Sequence, residues 1–205
     1  MLNILITGGE GFIGGHLVRK LKALEHRVTV VDDLSGGKSK DAKHTPIYAM
    51  RIQDYLTKCE EKFDIIFHLA ATPRMGFRFD KPRIVLDNNI TSTIAVADYA
   101  SKANSWVFWS NSSMATAIND AKINPYVHSK SISKDILELY SKHFGLNYSI
   151  LSFHNVYGPE EKIEGSYTTC VAKMLDDYQK HNQKQWQITN VSKLRVAGME
   201  DADLR

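Results

Sequence analysis

Tyr126 and Lys130 stand four residues apart in Pro125-Tyr126-Val127-His128-Ser129-Lys130, a spacing that puts both on one face of a helix. A phenol ordinarily ionises near pH 10. A neighbouring ammonium favours the phenolate and lowers that value, so such a tyrosine can take a proton from a substrate hydroxyl near neutral pH. Of the nine tyrosines, only Tyr126 has a lysine at the fourth position onward. A hydroxyl suited to the same chemistry lies upstream. Ser110-Asn111-Ser112-Ser113 closes the apolar run Trp106-Val107-Phe108-Trp109, and Ser112 there can hydrogen-bond the oxygen that Tyr126 deprotonates. In isolation the Tyr-Lys pair would read as an exposed helical pair. A second feature changes that reading.

Thr7-Gly8-Gly9-Glu10-Gly11-Phe12-Ile13-Gly14 follows directly on the apolar run Leu2-Asn3-Ile4-Leu5-Ile6. A strand runs into a glycine-rich turn that opens a helix. Gly8 permits the tight turn, Gly11 lets backbone approach a pyrophosphate, and Gly14 lets the helix pack close to the strand. The free N–H groups of the helix that Phe12 and Ile13 open then face the phosphates. A lone glycine triplet is weak evidence, but Val28-Thr29-Val30-Val31 reads as a second strand and ends in Asp32, eighteen residues after Gly14. A carboxylate there accepts hydrogen bonds from the adenosine ribose hydroxyls of NAD and repels the extra phosphate of NADP.

These groups need a scaffold, and the rest of the chain supplies its pattern. Pro46-Ile47-Tyr48-Ala49-Met50 reads as a weaker third strand, Asp64-Ile65-Ile66-Phe67-His68-Leu69 as a fourth, the run at Trp106 as a fifth and Tyr148-Ser149-Ile150-Leu151-Ser152-Phe153 as a sixth. Helical stretches fall at about 11–24, 82–103 and 126–144. Nearly continuous apolar strands alternating with helices mean an α/β fold, a doubly wound, Rossmann-like parallel sheet covered on both faces. Residues 1–160 form the expected NAD-binding domain, and residues 161–205 a reduced C-terminal substrate-binding portion, with a helix over 166–181 and a short strand over 186–189. The polar loop 33–45 reads as mobile. The 205 residues are 43% hydrophobic, enough for a packed core, and carry a net charge of +3 with acids and bases interleaved. No basic block points to nucleic acid, and no apolar run is long enough for a membrane span. The chain starts directly on a strand, and Cys59 and Cys170 lie far apart, so the expectation is a cytoplasmic protein with free thiols.

Across residues 1 to about 160 the chain resembles the extended short-chain dehydrogenase/reductase superfamily, in its NAD-dependent nucleotide-sugar epimerase/dehydratase branch, with a UDP-glucose 4-epimerase-like pattern. The resemblance rests on the glycine-rich turn at 7–14, Val30-Val31-Asp32-Asp33-Leu34-Ser35-Gly36-Gly37, His68-Leu69-Ala70-Ala71, the segment 87–93, Ser110-Asn111-Ser112-Ser113, the Tyr126–Lys130 motif and Asn155-Val156-Tyr157-Gly158-Pro159. It implies that Asp32 holds the adenosine ribose and that Arg51 and Ile52 contact adenine, with Asp54 nearby. It implies that the backbone of Leu69, Ala70 and Ala71 lines the cofactor trough, and that Asn89 supports the site near the nicotinamide end. Asn155 and Val156 match the segment beneath the nicotinamide. Ser112, Tyr126 and Lys130 match the catalytic triad, with Tyr126 and Lys130 also on the cofactor side.

The resemblance also sorts reactions. Dehydratases of this branch carry an Asp-Glu pair just after the catalytic hydroxyl residue, and the decarboxylases often a glutamate. Here Ser113-Met114 follows Ser112. The usual Tyr-Gly after the serine motif is replaced by Met114-Ala115-Thr116-Ala117. Epimerisation at C4 of a nucleotide-sugar, through a transient 4-keto sugar, is the reaction expected. The alternatives are a reductase or dehydrogenase on the same scaffold, or a non-catalytic NAD-binding module. No metal is expected. A homodimer is expected through helices 82–103 and 126–144, with Ile94, Val96, Ile132, Ile136 and Leu139 supplying a shared apolar stripe. His68 is expected to serve packing, His128 to face solvent, Trp106 and Trp109 to lie in the core, and Arg74 and Met75 to sit in a loop over the site.

Overall fold

Runs of β-branched and aromatic residues too short for helices form the six strands of one parallel sheet. They are β1 (Asn3–Thr7), β2 (Arg27–Asp32), β3 (Ile47–Ala49), β4 (Ile65–His68), β5 (Trp106–Ser112) and β6 (Asn147–Phe153). Their order in the sheet is β3-β2-β1-β4-β5-β6, and every pairing is parallel. The computed structural model describes residues 1–36, 47–72, 81–113, 124–161 and 170–181. The described helices are α1 (Phe12–Ala23), α2 (Ile52–Leu56), α3 (Pro82–Ala103), α4 (Pro125–Phe144) and α5 (Cys170–His181).

The sheet is buried on both faces, so its central strands are apolar at consecutive positions rather than at alternate ones. Ile4 and Ile6 of β1 join Val28 and Val30 of β2 and Val18 of α1 in one layer. Leu5, Val31, Ile66, Val107 and Trp109 face the other way, against Val96, Ala97 and Ala100 of α3 and Leu137 of α4. Burying each such aliphatic side chain contributes about 1.5–3 kcal/mol. The two long helices carry their own boundaries. Pro82 and Pro125 occupy first-turn positions that need no amide donor. Asn124 caps α4 by accepting from Tyr126 N at 2.8 Å, and left-handed Asn104 and Gly145 end α3 and α4.

Several expectations shift in detail. The third strand contracts to Ile47–Ala49. The fifth extends through Ser112, because Ser110, Asn111 and Ser112 keep parallel pairing with Leu151, Ser152 and Phe153 of β6. Trp106 is not core. It begins β5 at the edge opposite the site and is 45% exposed, its indole N–H reaching Ser149 Oγ; Trp109 is buried as expected. Val96 lies in the core and not on an outward stripe, whereas Ile94 and Leu139 are exposed. α2 was not anticipated, and it buries Ile52 and Tyr55. The predicted C-terminal helix is described from Cys170 on. Residues 166–169 and 186–189, Arg74, Met75, Met114–117 and the loop beyond Gly36 lie outside the described residues.

Candidate active site

Strand order reverses at β1, whose neighbours are β2 on one side and β4 on the other. In such sheets the crevice at the carboxyl ends of the strands is where ligands bind. The glycine-rich turn leaves β1 at that point. Gly8 has φ +73, and a Cβ on it would lie 2.7 Å from Ala70 N. A Cβ on Gly14 would lie 2.2 Å from Gly8 O. Both positions therefore exclude any side chain. α1 opens at Gly11 with no side-chain cap and no acid in its first turn, leaving its N-terminal dipole free for an anion.

Asp32 ends β2 beside this turn. One carboxylate oxygen accepts from Glu10 N at 3.0 Å and the other from Leu34 N at 2.8 Å. Burial holds its carboxyl above the usual range, while the two amides pull it down. Across the crevice, Leu69 N donates to Thr7 O and Ala70 N to Thr7 Oγ1, both at 3.1 Å; Leu69, Ala70 and Ala71 keep partial exposure. Asn89, buried on α3, braces this segment. Its Oδ1 accepts from Thr72 N at 2.7 Å, and its Nδ2 donates to Thr72 O at 3.3 Å and Ser129 Oγ at 2.8 Å. Arg51, half exposed, lies 3.9 Å from Asp87. Ile52 packs its side chain into the core beside Val31 and Tyr55, so only its backbone is left for a ligand.

The segment after β6 reaches α1. His16 Nε2 lies 2.9 Å from Pro159 O, Arg19 pairs with Glu160 at 2.9 Å, and Phe12 packs near Gly158. Exposed Asn155 and Val156 are thereby tied to the helix that opens the glycine-rich turn. His16 and Arg19 were not foreseen, though both lie on the Phe12 face of α1 at helical spacing.

Ser112, Tyr126 and Lys130 do converge. The Tyr126 hydroxyl and Ser112 share a hydrogen bond. Lys130 is only 3% exposed. Its ammonium donates to Ser110 O at 2.7 Å, sits 4.9 Å above the centre of the Trp109 ring and lies 6.0 Å from that of Tyr126. The expected electrostatics need correction. Burial pushes the Tyr126 phenol up, and the Ser112 bond pulls it the other way. Desolvation brings Lys130 down to about 7. Helical spacing set the pair on one face but could not foresee that the ammonium would be spent on β5, through Ser110 and Trp109. His128 is exposed, as expected. His68 does more than pack, since both ring nitrogens meet threonine hydroxyls. Among the described residues no group of three His, Cys, Asp or Glu is placed to hold a metal, and no helix is long and apolar enough to cross a membrane.

The glycine cradle, the uncapped helix start and Asp32 at the end of β2 fit a dinucleotide with its pyrophosphate on α1. The sheet, this cradle and the Ser-Tyr-Lys cluster at the carboxyl edge define a Rossmann-type dinucleotide-binding α/β protein. The chain belongs to the NAD dependent epimerase/dehydratase family, which it matches over residues 4–196.

Its relatives span several activities. It is 32% identical over 174 residues to a UDP-glucose 4-epimerase of Lactobacillus helveticus, covering 77% of this chain and 52% of that protein. It is 27% identical over 192 residues to a UDP-N-acetyl-alpha-D-glucosaminuronate decarboxylase of Bacillus cytotoxicus, covering 83% and 59%. The UDP-glucose 4-epimerase of Thermotoga maritima, solved with UDP-glucose, superposes with a TM-score of 0.75 at 27% identity, covering 86% of this chain and 62% of that one. The chain thus spans little more than half the length of the curated relatives it matches.

Proposed function

We propose that this chain carries the NAD-binding and proton-transfer half of a nucleotide-sugar epimerase acting at C4. The observation that carries this reading is the hydrogen bond between Tyr126 and Ser112, one helical turn from a lysine buried on the same helix. Tyr126 takes the proton of the sugar 4-hydroxyl, and Ser112 steadies the 4-oxygen while it becomes a carbonyl. Bound NAD would supply the acceptor for the C4 hydride and its later donor. The 4-keto sugar presents its other face, and Tyr126 gives the proton back to the 4-oxygen, so the reaction is redox-neutral. Lys130 anchors the Tyr126 turn to β5 through its bond to Ser110 O. Gly8, Gly11, Phe12, Ile13 and Gly14 would hold the pyrophosphate, Asp32 the adenosine ribose, and Arg51 with the backbone of Ile52 the adenine. Leu69, Ala70 and Ala71 would line the trough, Asn89 would brace it, and Asn155 and Val156 would lie under the nicotinamide.

Elimination and decarboxylation fit less well. Ser113 follows Ser112, where an acid would be needed, and Met114 follows that. The same reading takes residues 1–160 as the cofactor domain and 161–205 as part of the substrate side, in a cytoplasmic protein that pairs with a second copy through α3 and α4.

The test is incubation with UDP-, GDP- and dTDP-sugars, the product configuration being read by NMR. Inverted C4 product is expected, and Tyr126→Phe should lower turnover by roughly two to four orders of magnitude while leaving NAD affinity nearly unchanged. NAD binding without turnover on any sugar would favour the non-catalytic module, and net reduction of the sugar would favour a reductase. A Tyr126→Phe variant with full activity would overturn the mechanism.

A further inference from the structure

His68, the last residue of β4, is 1% exposed. Its ring nitrogens meet two hydroxyls from distant parts of the chain. Nδ1 lies 2.7 Å from Thr7 Oγ1 on β1, and Nε2 lies 3.4 Å from Thr93 Oγ1 on α3. Burial, with the Lys130 ammonium second, holds this imidazole down at about 3, so it is neutral and has one donor and one acceptor to give.

The neighbours decide which nitrogen is which. Thr93 Oγ1 has two acceptors for its proton besides His68, the nearer being Asn89 O at 2.9 Å and the other Ser133 Oγ at 3.2 Å, so toward His68 it accepts, and Nε2 carries the hydrogen. Nδ1 of the neutral ring then carries no hydrogen and accepts from Thr7 Oγ1, which itself accepts from Ala70 N at 3.1 Å. Every link then runs one way, from the Ala70 amide through Thr7, His68 and Thr93 to the Asn89 carbonyl. At one end of that chain Ala70 is held where it meets Gly8, with no room for a Cβ between them. At the other end Asn89 clamps Thr72. Ser110 Oγ donates to the backbone oxygen of His68 at 3.1 Å, and Lys130 donates to Ser110 O.

We propose that His68 is a positioning residue for the cofactor cleft. It acts as a neutral Nε2–H strut whose Nδ1 arm sets the spacing between the glycine-rich turn and the Leu69–Ala71 wall, and whose Nε2 arm only anchors β4 to α3. The inference rests on NAD binding by this chain and is independent of the sugar chemistry.

Two substitutions separate the arms. In His68→Asn the side-chain oxygen stands where Nδ1 stood and keeps the Thr7 partner. In His68→Gln the amide nitrogen reaches the Nε2 position and keeps the Thr93 partner. Both variants should lose stability in urea. NAD affinity, measured by calorimetry, should stay within about threefold of wild type in His68→Asn and fall about tenfold in His68→Gln, the scale of one buried hydrogen-bond partner left unpaired. Thr7→Ser should keep the affinity that Thr7→Val loses. Nitrogen NMR of the wild type gives a readout that survives poor folding of the variants. The ring of His68 should show an Nε2–H tautomer that does not titrate between pH 5 and 8. Equal NAD affinities in the two His68 variants would reduce the residue to a core histidine, and an Nδ1–H or protonated ring would overturn the proposal.

Discussion

Replacing Lys130 with methionine removes a buried charge while keeping most of the side chain's length and volume. The lysine is held near 7 rather than 10.5 by desolvation, which disfavours its charged form by about 5 kcal/mol, at 1.36 kcal/mol for each tenfold change in proton affinity. Below about pH 7 the native and unfolded chains both carry the ammonium, and the native state bears that whole penalty. Between about 7 and 10.5 the unfolded chain holds the extra proton, so native stability rises with pH across this window. From pH 7 to pH 9 the gain from this one group comes to about 2 kcal/mol. Lys130→Met has no such gain. Urea unfolding, followed by tryptophan fluorescence at pH 7, 8 and 9, measures the difference between the two proteins. The methionine variant should be favoured most at pH 7, and its advantage should shrink by about 2 kcal/mol by pH 9. Stopping at pH 9 keeps the tyrosines out of the comparison, because burial holds Tyr126 and Tyr148 above their ordinary value. Parallel stability curves for the two proteins across that range would refute the reasoning: they would mean that Lys130 keeps an ordinary affinity for its proton despite being buried.

Asp32→Asn should narrow the preference for NAD over NADP, since the carboxylate that a 2′-phosphate would meet is then neutral; calorimetry with both dinucleotides checks this, and tighter NADP binding by the wild type would refute it. Leu139, 52% exposed on α4, and Ile94 on α3 lie on the face proposed to pair with a second copy. Light scattering at micromolar concentration should give a dimeric mass for the wild type and a monomeric one for Leu139→Glu, and a monomeric wild type would refute the pairing.

Most of the scaffold is legible in the sequence because it is built from strong local signals. The runs of β1, β2 and β4 are apolar without alternation, which only a sheet covered on both faces asks for. Proline starts and left-handed ends bracket α3 and α4 to within a residue. α2 escapes because five residues do not fill an amphipathic period. The polar end of β5 escapes because Ser110, Asn111 and Ser112 carry no strand propensity and owe their extension to pairing with β6. The site divides in the same way. The glycine turn, Asp32 and the Tyr-Lys spacing are local patterns. The brace from Asn89 to Thr72 and Ser129, the Ser110 bond to Lys130 and the His68 hydroxyl pair join residues 17 to 61 positions apart, and no window along the chain contains them. The phenol of Tyr126 is a case of its own. Its partners were foreseen, yet burial outweighs them, and burial belongs to the tertiary fold.

Because β1 sits between β2 and β4, it waits for a neighbour on each side until β4 is made, some 60 residues further along the chain. Its hydrophobic triplet Ile4-Leu5-Ile6 acquires β2 only after residue 27 and β4 only after residue 65. At translation rates of about 5–20 residues per second, roughly 3 to 12 s pass between the synthesis of β1 and that of its second partner. Throughout that interval one edge of a β-branched strand is open to other nascent chains. Parallel pairing offers no local hairpin to shield it, so yield on expression should fall with temperature more steeply than the stability of the finished fold would suggest.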